Sequence, residues 1–165
     1  MKNPYISIIM PCYNSEMFIS KTIDSVINQT YINFELLIVD DNSSDSTIDI
    51  IKKYIKMDSR IKLFESPNNF GGPAKGRNIG IKNSKYDYLA FIDSDDLWHL
   101  KKLEIQIQYI NKFNPDFIST GRIIFKENYN SEILNDYGFN FKKITYFKLL
   151  FNNSICCSSV LLKKK

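Results

Sequence analysis

Histidine is nearly missing from this chain of 165 residues: His99 is the sole one. No Ser-His-Asp or Cys-His constellation can be built without it. A lone His after Trp98 at a helix start reads as structural, so hydrolase triads are not expected. Cysteine is scarce as well. Cys12, Cys156 and Cys157 offer no CxxC spacing, and the adjacent pair does not bridge readily with itself. Reduced, packed thiols are expected, with no metal or redox role. No apolar run approaches the roughly 18–20 residues of a membrane span. The first residues, one Lys followed by Asn and Pro, make no signal peptide, so a cytoplasmic protein is the expectation. Neither GxxxxGK[ST] nor GxGxxG occurs, which disfavours an ATPase or a dinucleotide-binding enzyme. Acidic residues stop at Asp136, while Lys142, Lys143, Lys148 and Lys163 to Lys165 follow. That basic end could lean on the inner face of an anionic membrane, although solvated lysines explain it more simply.

What is present is an ordinary globular composition, 44% hydrophobic and 24% charged, in a chain long enough for one domain with a real core. Apolar runs at residues 5–10, 34–39, 61–64 and 88–92 read as buried strands, the first closed by Pro11. Between them lie helical patterns. One runs through Phe18, Ile19, Ile23 and Val26 with Asn14 or Ser15 as N-cap; another through Ile48, Ile51, Tyr54 and Ile55. Residues 74–83 could be helical despite Gly76 and Gly80, with Pro73 suited to a first helical position. Leu103, Ile107 and Ile110 mark an amphipathic helix that Asn114-Pro115 stops. Residues 117–125 read as a fifth strand, 128–140 as a loop, 144–151 as a short helix and 155–162 as a last strand. Alternating strands and helices imply an α/β fold: a mostly parallel central sheet with helices on both faces.

In such folds ligands sit beyond the carboxyl ends of the strands, where strand order reverses. Three polar clusters fall at such ends: Pro11-Cys12-Tyr13-Asn14, Asp40-Asp41-Asn42-Ser43 and Asp93-Ser94-Asp95-Asp96. The last places three carboxylates within four positions after an apolar run, an arrangement costly without a cation or a donor network. Mg2+ or Mn2+ is the expected cation, since a hard ion takes one or two carboxylates plus substrate phosphates. The plainer reading makes Asp95 or Asp96 the N-cap of the following helix. Asp41 could accept from a base edge or cap the next helix. Tyr13 could stack a base or fill a capping turn. Arg77 follows the Gly71-Gly72 loop and has the fork geometry phosphate oxygens require, whereas Lys75 reads as solvated.

Five segments occur in order over residues 5–125: Met10-Pro11-Cys12-Tyr13-Asn14-Ser15-Glu16, Ser25-Val26-Ile27-Asn28-Gln29-Thr30, residues 34–43, Gly76-Arg77-Asn78-Ile79-Gly80 and residues 91–98. Together they closely resemble family 2 glycosyltransferases of the GT-A fold, which has a Rossmann-like sheet. The resemblance implies a nucleotide-sugar donor, often a UDP-sugar, with Mg2+ or Mn2+, and inverting transfer to a glycan, lipid-linked or protein hydroxyl acceptor in surface glycan or polysaccharide synthesis. Nucleic acid is not an expected partner. By position Pro11, Tyr13 and Asp41 match base-holding residues, and Asn14 and Glu16 belong to the same nucleotide-side motif. Arg77 matches a contact near the nucleotide, Asp93 and Asp95 the D-x-D pair, and Asp96 the metal ligand of members with a shorter motif. Asp95 and Asp96 are thus the expected metal residues, with direct ligation among Asp93, Asp95 and Asp96 left open.

The resemblance also implies a carboxylate base downstream of Ser158-Ser159-Val160. No such acid follows, and Glu127, Glu132 and Asp136 stand earlier. Residues 1–125 are therefore expected to form the donor-binding core, and 126–165 the start of an acceptor region whose base lies beyond Lys165. A catalytically incomplete nucleotide-sugar-binding fragment is the alternative. A nucleotidyltransferase is a weaker one, because no Gly-rich basic loop follows the first strand.

Overall fold

The structure, a computed structural model, describes residues 3–124 and 155–164. The elements run β1 (Ile6–Cys12), α1 (Ile19–Ile27), β2 (Phe34–Asp40), α2 (Thr47–Met57), β3 (Ile61–Glu65), α3 (Pro73–Asn83), β4 (Tyr88–Phe91), α4 (Lys102–Phe113), β5 (Phe117–Ser119), a 3-10 turn (Cys157–Ser159) and β6 (Val160–Lys163). The loop expected at 128–140, the helix at 144–151 and the acids Glu127, Glu132 and Asp136 lie outside the described residues.

Six strands form one sheet in the order β3-β2-β1-β4-β6-β5. β1, β2, β3 and β4 are parallel, with Ile8 opposite Leu36 and Ala90. β6 is antiparallel to both of its neighbours. The chain winds outward from β1 to β3 and then returns to the other side of β1 with β4. The β1–β4 junction is therefore the point of strand-order reversal.

Side-chain alternation divides the core between two faces. Ile6, Ile8, Met10, Leu36 and Ile38 pack with Ile19, Ile23, Val26, Ile51, Leu103 and Ile107 of α1, α2 and α4. On the opposite face Ile9, Leu89, Phe91 and Val160 meet Ile81 of α3. β1 and β2 are buried along their whole length, which explains their unbroken apolar runs. α3 is the unusual helix, polar and carrying two glycines, and those glycines explain its placement. A Cβ on Gly80 would lie 2.4 Å from Ile9 Cγ2, and one on Gly76 would lie 3.0 Å from Pro11 Cβ. Their bare backbones let α3 lie hard against β1.

Several boundaries differ from the sequence expectation. Pro11 does not close β1; the strand continues to Cys12. Alternate residues of a parallel strand bond to the same neighbour, and Ile9 O accepts from Ile92 N on the β4 side. Pro11 faces that side too, where β4 has ended, so its missing N–H costs no ladder bond. Neither Asn14 nor Ser15 is the N-cap of α1, whose cap position is Phe18. The fourth helix starts at Lys102 with Lys101 as its cap position, so neither Asp95 nor Asp96 caps it. Asn114 ends it in the left-handed conformation, at the stop expected there. β5 is three residues long rather than nine; among the described residues its pairing with β6 spans Phe117 to Ser119. The last strand is preceded by the 3-10 turn and starts at Val160 rather than at residue 155.

Candidate functional site

All three polar clusters lie beyond carboxyl ends of neighbouring strands, around the β1–β4 junction. The loops after β1 and β2 are laced to each other. Asn14 N donates to Ser43 Oγ, and Asn14 Oδ1 accepts from Ser44 N, both at 2.9 Å. Ser15 N donates to Thr47 Oγ1, Glu16 N donates to Asp45 Oδ2, and Glu16 Oε2 accepts from Ser46 N. Asn14 and Asn42 both hold positive φ, 44° and 64°, a conformation asparagine tolerates better than most residues. The lacing explains why α1 starts late: the polar groups expected to cap it are spent on the neighbouring loop. It also gives Asn14 and Glu16 a structural occupation. Tyr13, next to this seam, is half exposed.

The two aspartates that end β2 differ. Asp40 is fully buried and accepts from Ser43 N, Ser43 Oγ and the Cys12 thiol. Burial, and then the Asp40 charge, push the Cys12 thiol far above its ordinary value, as a packed and unreactive cysteine requires. Asp41 turns toward the loop after β3. Both its oxygens accept from Phe70 N, at 2.9 and 3.0 Å, which fixes the carboxylate while leaving lone pairs open. It is not the cap of α2; Asp45 Oδ1 accepts from Thr47 N instead. Lys75 is exposed and lies with its Nζ 3.5 Å from the Phe70 ring centroid.

The acidic turn after β4 is held from four directions. Asp96 N donates to Asp93 O and closes the turn. Thr22 Oγ1 of α1 donates to Ser94 O at 2.8 Å, and the Ser15 and Ser94 hydroxyls share a hydrogen bond of the same length. On the α3 side the Arg77 guanidinium pairs with the Asp93 carboxylate. On the β6 side Asp93 N donates to Ser158 Oγ at 3.0 Å. Asp95 is exposed. Burial raises the pKa of Asp96, and the charges of Asp95 and Asp93 push the same way against a hydrogen bond from Ser158. The cluster thus strains toward a positive partner. Arg77 supplies one for Asp93, but Arg77 Nε is itself buried with no hydrogen-bond partner among the described residues. Among the described residues no group of three or more His, Cys, Asp or Glu side chains is arranged to hold a metal ion.

Sequence reasoning missed the support behind this turn. Trp98 Nε1 donates to Ser158 O at 2.7 Å, and Gln106 Nε2 to Ser159 O at 3.0 Å. Lys102 is buried, with its Nζ 3.9 Å from the Trp98 ring centroid and 2.8 Å from Gln106 Oε1. The available signal was a Lys and a Gln four positions apart on an apolar helix face, where neither belongs without a partner. His99 serves structurally: its carbonyl accepts from Gln29 Nε2 and its Nδ1 from Lys101 N. Among the described residues no helix is long and apolar enough to cross a membrane.

Comparison with known proteins gives a consistent result. Residues 7–164 match the family described as Glycosyl transferase family 2. An uncharacterized glycosyltransferase of Haemophilus influenzae is 39% identical over 165 residues, which is 100% of this chain and 64% of that protein. The Escherichia coli UDP-Glc:alpha-D-GlcNAc-diphosphoundecaprenol beta-1,3-glucosyltransferase WfgD is 42% identical over 170 residues, 99% of this chain and 62% of its own length. This chain therefore spans less than two-thirds of either relative. Among solved structures, S. aureus TarS 1-349 in complex with UDP-GlcNAc superposes with a TM-score of 0.74 at 26% identity, covering 96% of this chain and 45% of that one. The likeness bears out the expected GT-A layout.

Proposed function

Because this chain belongs to glycosyl transferase family 2, we propose that it forms the donor-binding part of an enzyme that transfers a sugar from a nucleotide-sugar, with UDP as the nucleotide, to a hydroxyl acceptor in surface glycan or polysaccharide synthesis. The observation that carries the proposal is the meeting of Arg77 with Asp93 at the strand-order reversal, beside Asp95 and Asp96. A diphosphate there would give the buried Arg77 Nε the acceptor it lacks. UDP as the nucleotide is supported by the E. coli relative, named for a UDP-Glc donor, and by TarS in complex with UDP-GlcNAc. The lipid-linked acceptor in the E. coli relative's name supports the same class of acceptor here.

Each residue would then have a distinct task. Tyr13 offers a ring face to the base beside Pro11, and the fixed Asp41 carboxylate accepts from the base edge. Asn14 and Glu16 keep that wall in shape through the laced loops. Asp95 and Asp96 would hold Mg2+ or Mn2+, which when bound would neutralise the charge developing on the departing diphosphate. The acceptor hydroxyl would attack the anomeric carbon in line, with inversion, and give its proton to a carboxylate base. We assign that base to the acceptor side of the whole enzyme rather than to the residues around the acidic turn.

Calorimetry of the chain with UDP-, GDP- and CDP-linked sugars, with and without Mn2+, tests this reading. UDP-linked sugars should bind most tightly and more tightly with Mn2+. Asp95→Asn and Asp96→Asn should each weaken the Mn2+-dependent binding about ten-fold or more. Unchanged affinity in both variants would remove the metal assignment, and absence of nucleotide binding by the parent would remove the donor assignment.

A further inference from the structure

We propose that Ser158 is a positioning residue for the acidic turn, so that the 3-10 turn before β6 completes the donor site. The inference rests on the donor-binding reading above. Ser158 is buried, and its hydroxyl meets the first residue of the turn. The oxygen accepts from Asp93 N at 3.0 Å. That amide opens the acidic turn, and Asp96 N closes it on Asp93 O, so the bond to Ser158 anchors the residue from which the turn is built. One side chain thereby fixes the backbone at the start of the turn.

Ser158 is in turn held by groups with no other evident task. Its carbonyl accepts from Trp98 Nε1, and the next carbonyl, Ser159 O, accepts from Gln106 Nε2. Gln106 Oε1 accepts from the buried Lys102 Nζ, which also lies over the Trp98 ring. Ser159 Oγ donates to Cys156 O and closes the 3-10 turn from within. The scaffold runs from α4 through the turn to the acidic cluster. Its Ser158 end stands 65 residues in sequence from Asp93, whose amide it holds. A motif confined to Asp93–Asp96 therefore omits part of its own geometry.

The test uses the full chain, with UDP as probe, titrated in Mn2+ and again in chelator. Ser158→Ala should weaken the Mn2+-dependent affinity roughly ten-fold, the scale of leaving a buried amide without its acceptor, and leave metal-free UDP binding within about two-fold of the parent. Ser158→Thr, which keeps the hydroxyl, should restore most of the affinity. Ser158→Cys keeps the volume with a weaker hydrogen-bonding atom and should behave as Ser158→Ala does, so a folding defect in the alanine variant leaves the question decidable. Parent-like affinity in Mn2+ for the folded alanine or cysteine variant would overturn the positioning role. So would equal losses with and without Mn2+, the mark of a merely structural serine. Failure of the parent itself to bind UDP would instead overturn the donor-binding reading and this inference with it.

Discussion

Glu35 is buried near the amino end of β2, at the edge of the sheet opposite the candidate site. Its two oxygens accept from Ser7 Oγ at 2.8 Å, Lys85 N at 2.9 Å and Lys62 Nζ at 2.7 Å. Burial alone would raise its pKa, but the Lys62, Lys85 and Ser7 bonds together hold it below the ordinary carboxylate value. A carboxylate depressed in the folded state stabilises the fold above its unfolded pKa and loses that contribution as pH falls through the folded one. Urea denaturation from pH 7 to pH 3 should therefore show an acid limb. Glu35→Gln should lower stability at pH 7 by about 1–3 kcal/mol and flatten that limb. A parent-like pH profile in the variant would show that Glu35 is not the titrating group. The same residue marks a limit of sequence reading. Nothing within the apolar run 34–39 says how its one charge is accommodated, and only the partners that reach Glu35 from β1, β3 and the loop before β4 make it a buried anchor.

At the scale of elements, α3 depends on what it lacks. Gly80 leaves room for Ile9, and a methyl group there would press on a branched side chain in the interior of β1. Gly80→Ala raises helix propensity yet should destabilise the protein by about 1–3 kcal/mol through overpacking. It should also weaken UDP binding, because α3 carries Arg77 to Asp93. A urea midpoint equal to or above the parent's would mean that α3 can move away without cost. The existence of α3 was legible from Pro73, but the glycines counted against it until their contact with β1 was visible. Caps were less legible still. Asn14 and Ser15 have capping chemistry, yet Ser43, Ser44 and Thr47 claim it from thirty residues away. Local sequence does not rank such competitors. The order of β1 to β4 and the three polar clusters could be anticipated because each is a local pattern repeated at a strand end. The insertion of β6 between β4 and β5 could not, since pairing direction is decided by neighbours distant in sequence.

For the molecule as a whole, Lys102 sets how stability responds to alkaline pH. Burial draws its ammonium from 10.5 down to about 7. Between those values the unfolded chain holds a proton that the folded chain has shed, so stability should rise with pH, by up to about 1.4 kcal/mol per unit from this group. The contribution is absent below the folded value and complete above the unfolded one. Lys102→Met fills the same space without a charge and should remove the rise, read as urea midpoints at pH 7 and pH 9.5. An equal rise in the variant would assign the slope to other groups. The same substitution should cost little at pH 7, because a buried charge is often replaced by an apolar side chain without loss.

The place of β6 in the sheet has a consequence for how the protein comes into being on the ribosome. Synthesis delivers β1 to β5 first, at about 5–20 residues per second. Throughout that interval the edge of β4 and the strand β5 lack the partner that joins them among the described residues, because it is encoded some forty residues after β5. The growing polypeptide therefore exposes an open strand edge, the kind of template that recruits other nascent chains. That hazard ends when residues 160–163 emerge and slot in. The same event docks Ser158 against the acidic turn, so sealing the edge and supporting the turn are one step.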